Sequence, residues 1–410
     1  MNISKKKVIV VQLGARMHYA VPQIFYKKKY LKTFYTDAYY NNINNFHKYL
    51  PNKIRKQMEK YNPKIDSNKI VWDWFLALKY RIMIKKVGYK AHQWAAKKMS
   101  NKVIKNEGNQ KNIILYSFDL ASKDLFFFGK KKWYLVLEQC VAPRSTQKEL
   151  LINNPEFDYE HSDLAQSIKM FDELHEIEKI EWELSDKIIC PSNYVKNEIV
   201  KCNSNLEKKI CVVPYGVDFG ITENNINLIQ NKKQNRKKII LFAGSICYRK
   251  GAYDIKKIAL KYQKSNVEFR LAGSININKE YFKDLPANIK ILGKLSKDKL
   301  ISEYKKAYIF LFPTYLEGSA TVIYEALNYY LPVITTHSAG SVITEGKDGY
   351  IVDEGDIGAF VKIINSLLSN DKKYNQVANE AFKTSKKYTV DAYGERLIKA
   401  IMSTDFDENN

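Results

Sequence analysis

The sequence predicts an α/β protein built from two doubly wound parallel sheets that face each other across a cleft. Three observations predict it. Short apolar runs alternate with helical patterns along most of the chain, as in parallel sheets covered by helices. The runs fall into two sets, parted near residues 218–237 by a polar stretch without apolar periodicity. The length of 410 residues exceeds one ordinary core, and 45% apolar content is enough for globular folding.

The first set of strands is expected at Val8–Leu13, Leu31–Thr36, Asn112–Phe118, Trp133–Leu137, Lys187–Cys190 and Lys209–Val213. The opening MNISKKKVIVVQLG has a basic start, a short apolar run and no cleavage site, so it reads as a first strand rather than a signal peptide. No apolar window approaches the ~18 residues of a membrane span. Residues 40–110 fit the alternation poorly and read as helices rich in lysine and aromatics. There Trp72, Trp74, Phe75, Leu78, Ile82 and Ile84, then Tyr89 and Trp94, interleave with Lys79, Arg81, Lys85, Lys86, Lys90, Lys97 and Lys98. Such a segment can lie on an anionic membrane surface, pack its apolar side on the sheet, or do both. The second set is expected at Ile239–Ala243, Val267–Ala272, Ile289–Leu292, Tyr308–Pro313, Pro332–Thr335 and Tyr350–Val352. Ligands of open parallel sheets sit beyond the carboxyl ends of the strands, so the natural site is the cleft between the two domains.

The five cysteines share no metal spacing and read as reduced thiols of a cytoplasmic protein. The net charge of +23 is unevenly placed: residues 1–100 carry +18 and the remaining 310 carry +5. A basic region implies an anionic partner such as nucleic acid, acidic lipid or a phosphorylated acceptor; a lysine-rich composition bias is the alternative. The tail DFDENN contains an Asp-x-Asp, but a frayed polar end is a poor place for a metal.

The most informative stretch is YIFLFPTYLEGSATVIYEALNYYLPVITT, residues 308–336. It reads as a strand, a turn of small residues, a helix and a second strand opened by Pro332. Gly318, Ser319, Ala320 and Thr321 let a ligand approach the backbone, with Ser319 or Thr321 as the expected helix N-cap. First-turn amides suit an anion such as a diphosphate. Glu317 and Glu325 stand eight positions apart, about 12 Å at helical rise. That is roughly the reach from a hexose to the ribose of a nucleotide sugar, and both ends offer hydroxyls to a carboxylate. By spacing alone such a pair of acids is common chance; the context carries the reading. Upstream, FAGSICYRKGAYDI (242–255) places a turn at Gly244 and Ser245, then Arg249 and Lys250 at a helix start. Two cations at a positive helix end are mildly unfavourable without an anion, although a solvated helix start is the plainer alternative.

Together these segments resemble the retaining glycosyltransferases of family 4, which have the GT-B fold. The likeness is densest over residues 185–355. It rests on the paired glutamates, Leu331-Pro332-Val333-Ile334, Gly340-Ser341, the Asp348-Gly349 turn, VVPYGVD (212–218) and CPSNYVKNEI (190–199). The resemblance implies an N-terminal acceptor-binding domain over residues 1–217 and a C-terminal nucleotide-sugar-binding domain over 218–388. Residues 389–410 would be a helix or tail packing back on the first domain. It further implies that Glu325 holds the ribose and that Glu317 with amides near Gly318–Ala320 holds the sugar. Arg249 and Lys250 would neutralise the diphosphate, with Gly244 and Ser245 beside the donor. No metal and no cofactor is expected, the cations taking the metal's electrostatic role. In the first domain, Gly14, Arg16 and His18 after the first strand and Glu138 and Gln139 after a later one are candidates for acceptor contact. The family commonly has a histidine after the strand at 112–118; here YSFDLAS has Asp119, a candidate replacement.

The expected activity is transfer of a sugar from a nucleotide-sugar donor to a saccharide or lipid-linked acceptor hydroxyl with retention, in bacterial surface polysaccharide or glycolipid assembly. The expected location is cytoplasmic and peripheral on the inner face of the membrane. Rival readings are a nucleotide-sugar hydrolase or epimerase of the same fold, and a basic nucleic-acid-binding protein. The last lacks any recognised binding module and leaves the glutamates idle, so no nucleic-acid partner is expected.

Overall fold

The computed structural model describes residues 6–40, 59, 61–155, 164–218 and 237–402. In the first domain β1 (Lys7–Gln12), β2 (Leu31–Thr36), β3 (Ile70–Trp72), β4 (Ile113–Phe118), β5 (Tyr134–Glu138), β6 (Lys187–Cys190) and β7 (Ile210–Val212) form one sheet in the order β3-β2-β1-β4-β5-β6-β7. In the second, β8 (Lys238–Ala243), β9 (Val267–Ala272), β10 (Ile289–Gly293), β11 (Ile309–Phe312), β12 (Val333–Thr336) and β13 (Gly349–Val352) run β10-β9-β8-β11-β12-β13. Every pairing is parallel. The central strands of each sheet are short apolar runs buried on both faces, as helices on either side of a parallel sheet require.

Those helices are α1 (Ala20–Lys27), α2 (Trp74–Val87), α3 (Tyr89–Glu107), α4 (Lys123–Gly129), α5 (Arg144–Asn153), α6 (Leu164–Leu184) and α7 (Asn193–Cys202) in the first domain. In the second they are α8 (Ala252–Leu260), α9 (Lys297–Lys306), α10 (Thr321–Asn328), α11 (Ile357–Ser369) and α12 (Asp371–Ser385), followed by α13 (Val390–Met402). Several begin at side-chain caps, such as Asp73 for Leu76 N at 3.0 Å and Asn370 for Lys373 N at 2.9 Å.

Strand order reverses between β1 and β4 in the first sheet and between β8 and β11 in the second. The loops leaving those strands carry Gly14 and Asp119 on one side, and Ser245 and Glu317 on the other. A crevice opens where strand order reverses, and it is where such sheets bind ligands.

The chain crosses between the domains in two places that touch. Val217 N donates to Tyr388 O at 2.9 Å, and a Cβ on Gly216 would lie 2.1 Å from Thr389 O, so only glycine fits this crossing. After the second crossing α13 returns to the first domain. Its Tyr393, Leu397, Ala400 and Ile401 join the core formed with Val8, Ile24 and Phe25.

Two departures from the sequence expectation stand out. The region 40–110 contains a strand, β3, which among the described residues pairs only with β2, at the sheet edge. It also holds two unlike helices: α3 buries Ala91, Ala95, Ala96, Met99 and Val103, whereas α2 buries only Leu76. Residues 41–58 and Lys60, most of the polar break and the DFDENN tail lie outside the described residues. All five cysteines are free thiols.

Leu397 is fully buried in the first domain's core. Leu397→Ala should therefore destabilise the protein by about 2–5 kcal/mol, read from the denaturant midpoint. A loss under ~1 kcal/mol would mean α13 is not part of that core.

Candidate active site

The turn after β11 brings the predicted charges together. Arg249 Nη1 donates to Leu316 O at 2.6 Å and to Glu317 Oε1 at 3.0 Å. The Lys250 ammonium contacts the same Glu317 oxygen. The arrangement is fixed from the backbone: Tyr315 N donates to Arg249 O at 2.8 Å, and Glu317 N to Ser338 O at 2.9 Å. The loops after β8 and β11, which flank the point of strand reversal, are thus tied to each other.

Burial pulls the Lys250 ammonium down to about 7, and neighbouring Arg249 pushes the same way. The Glu317 contact opposes both by favouring the charged form. Two cations about 4 Å apart repel by roughly 4 kcal/mol at an effective dielectric of 20, less where water reaches Arg249. A carboxylate between them offsets that repulsion, and so would any other anion.

Gly318 sits where the domains meet. A Cβ there would lie 1.9 Å from Cys140 O, and Ser192 Oγ donates to Gly318 O at 2.6 Å. The expected N-caps do not form. Ala320 holds the cap position of α10 without a side-chain bond, because Ser319 Oγ pairs with Tyr324 Oη at 2.7 Å and Thr321 is already the first helical residue. The Ala320 N–H donates to Ala339 O at 3.1 Å. The N–H groups of Gly318 and Ser319 have no partner among the described residues, and they border the cleft.

A cavity of about 390 Å³ lies between the domains. Arg249, Glu317, Gly318, Ser319 and Thr321 form its wall on one side, and Arg16, Cys140, Gln147 and Tyr215 on the other. Glu325, Lys250, Ala320, Gly244 and Ser245 are not among its lining residues. Glu325 lies one helical turn beyond Thr321 and accepts from Tyr304 Oη at 2.8 Å. Burial pushes its carboxyl up to about 7, against that hydrogen bond. Gly244 N–H is held by Ala272 O at 2.9 Å, and Ser245 Oγ accepts from Ser274 Oγ at 3.4 Å.

A second cavity, of about 340 Å³, opens at the strand reversal of the first sheet, lined by Gln12, Arg16, His92, Gln93, Asp119 and Arg144 among others. Arg16 borders both cavities and donates to Cys140 O and Tyr215 Oη, each at 3.4 Å. Asp119 Oδ1 accepts from Cys140 N at 3.2 Å and pairs with Arg144 at 3.5 Å. Gly14 N–H donates to Asp37 Oδ1 at 2.7 Å, and exposed His18 lines neither cavity. Glu138 is 1% exposed and also lines neither; it accepts from Tyr116 Oη at 2.6 Å and Tyr215 Oη at 2.9 Å. Its place is behind the site, holding Tyr215. Gln139 is likewise buried and bonds Glu178 at 3.1 Å and Trp182 at 2.8 Å.

Sequence reasoning missed Tyr215, Arg144 and His92. Tyr215 lay inside the quoted VVPYGVD without being singled out. His92 enters from the first turn of α3 and stands in the cavity that Asp119 lines; burial pulls its imidazole down, favouring the neutral form. The wall is held by buried acids of α6. Glu181 accepts from Leu120 N, Ser122 N and Lys123 N at 2.7–3.0 Å, and Glu178 accepts from Arg144 N at 2.7 Å.

Residues 224–384 match the family model for glycosyl transferases group 1. HepE from Anabaena, solved with UDP, superposes with a TM-score of 0.63 at 13% identity, over 97% of this chain and 100% of that one. A glycosyltransferase from Rickettsia africae gives 0.62 at 16% identity, over 99% and 100%. The chain has the GT-B fold. Among curated proteins it is similar to the capsular polysaccharide biosynthesis glycosyltransferase CapM of Staphylococcus aureus, 29% identical over 48% of this chain and 56% of CapM. The chain thus spans about half the length of the curated relatives it matches. In GT-B terms, the charge cluster and the paired acids belong to the C-terminal domain, and the 340 Å³ cavity to the N-terminal one.

A nucleoside diphosphate bound at Arg249 and Lys250 would favour charged Lys250. Free Lys250 loses its proton as pH rises through about 7. Binding above that pH must therefore take up a proton, and affinity should fall between about pH 7.5 and 9.5, by up to tenfold per unit. Lys250→Arg stays charged and should flatten the profile. Calorimetry across this range checks it, and equal slopes for both proteins would exclude Lys250 from the anion site.

Proposed function

We propose that the cleft transfers a sugar from a nucleoside-diphosphate donor to an acceptor hydroxyl, with retention of configuration. The observation that carries this reading is the convergence of Arg249 and Lys250 on Glu317, with Arg249 and Glu317 lining the interdomain cavity and Lys250 packed against Glu317. Cations placed there stabilise the charge that grows on the diphosphate as the glycosidic bond breaks. They take the role a divalent ion would otherwise fill. The unpartnered N–H groups of Gly318 and Ser319 add fixed dipoles of the same sign.

Glu317, at the sugar end, accepts from sugar hydroxyls, and Glu325, further along α10, accepts from the ribose. In the transfer step the acceptor oxygen bonds to the anomeric carbon as the carbon–phosphate oxygen bond breaks. The acceptor proton passes to the departing phosphate on the same face, giving a glycoside and a nucleoside diphosphate. Glu317 is engaged by both cations, which supports a mechanism without a protein nucleophile. The UDP complex of HepE supports a nucleotide donor. The likeness to CapM supports an acceptor in surface polysaccharide assembly. The acceptor approaches through the 340 Å³ cavity, where Arg16, Arg144 and His92 offer donors.

Three variants test the roles separately. Arg249→Ala with Lys250→Ala should slow single-turnover transfer more than about a hundredfold; a near-normal rate would refute the diphosphate role. Glu325→Ala should weaken binding of UDP, GDP or ADP, and an unchanged titration would remove the ribose role. Glu317→Gln releases both cations from their counter-ion. It should bind free nucleoside diphosphate at least as tightly as wild type while losing turnover by tenfold or more. Parallel loss of both would assign Glu317 to the fold instead.

A further inference from the structure

Seven of the twelve large apolar side chains that stand exposed among the described residues fall between Trp72 and Val87. They belong to α2 and the residue pair before it, and α2 buries Leu76 alone. At about 100° per residue, Trp74, Phe75, Leu78 and Ile82 share one arc of roughly 100° on the side away from Leu76. Phe75 is 68% exposed and stacks on Trp74, ring centroids 3.9 Å apart. The same geometry sets Arg81 on one flank of the arc, Lys79 and Lys86 on the other, and Lys85 within it. From Trp74 to Asn106 there are nine lysines and arginines and no acid. Asp73, just before, caps Leu76 N and pairs with Lys102 at 3.1 Å.

We infer that α2 is an interfacial helix that docks the protein on an anionic lipid surface. An aromatic wedge bordered by cations meets both layers of such a surface, the acyl boundary and the headgroups. The alternatives match only one half of the face. Nucleic acid would take the cations and leave four large apolar side chains in water. A second copy of this chain would set like charges against each other. At 14 residues α2 is about 21 Å long, and no described helix is long and apolar enough to cross a membrane.

The helix is also well placed. Gly88, with φ of +53° and open space where a Cβ would lie, joins α2 to α3, whose N-terminal end supplies Tyr89, His92 and Gln93 to the 340 Å³ cavity. Docking through α2 therefore sets the chain segment that lines that cavity next to the lipid surface. The use of this for a lipid-linked acceptor rests on the proposed transfer; lipid binding itself does not.

The test is flotation of the full chain with phosphatidylcholine vesicles, pure or with about a third phosphatidylglycerol, at low and high salt. The expected result is at least tenfold stronger partitioning onto the anionic vesicles at low salt. Trp74→Ser with Phe75→Ser should lose tenfold or more at either salt, and Lys85→Glu with Lys86→Glu should lose the preference for anionic lipid. Both should keep wild-type nucleotide binding, which separates this inference from the cleft chemistry. Wild-type protein gives a check that needs no variant to fold: lipids brominated near the acyl boundary should quench its tryptophan fluorescence. No flotation, equal flotation on both vesicles, absence of quenching, or tight duplex binding without vesicle binding would overturn the inference.

Discussion

Two adjacent cations, one lining a protein cleft and one packed beside it, demand an anion, and the site is organised around that demand. Arg249 and Lys250 follow the end of β8, and Glu317 follows the end of β11. The parallel sheet sets those two strands side by side, and the reversal of strand order opens a crevice beyond them. The backbone bonds from Tyr315 and Glu317 then lock the turn so that both cations reach one carboxylate oxygen. Burial makes Lys250 sensitive to whatever anion it meets, since its charged form is costly without one.

The rest of the structure brings a second surface to that cluster and keeps it there. Gly318 meets Cys140 at a distance no side chain tolerates. The two chain crossings are joined at Val217 and Tyr388, and Arg396 bonds Pro214 O at 2.9 Å and Lys387 O at 2.8 Å, one carbonyl on each crossing. With α13 packed on the first domain, the covalent links between the domains are a short pair of crossings tied to each other. Arg16 lines both cavities, so one side chain links them.

Much of this was legible in the sequence. Parallel strands buried on both faces appear as apolar runs, and all but one strand were located to within about a residue or two at each end. β3 escaped because three residues at a sheet edge leave no periodicity to read. The charge cluster was legible because its residues sit beside small-residue turns. What sequence could not supply was which side chains face the cleft. Glu138 looked like an acceptor contact at a strand end, but alternation along β5 turns it inward to two tyrosines. His92, Arg144 and Tyr215 come from three distant segments that only the tertiary fold brings to one site. The helix cap shifted to Ala320 because Tyr324 claims the Ser319 hydroxyl, a competition local propensity does not encode.

The most direct test is a thermal-shift screen of the wild-type protein against the common nucleoside diphosphates and their sugars. At concentrations a hundredfold above Kd, a ligand specific for the folded cleft adds about 2.7 kcal/mol of stability. The account predicts that one base stands out, that its sugar diphosphate stabilises at least as well as the bare diphosphate, and that the monophosphate does far less. A flat screen, or equal stabilisation by the monophosphate, would contradict a cleft built to hold a glycosyl diphosphate.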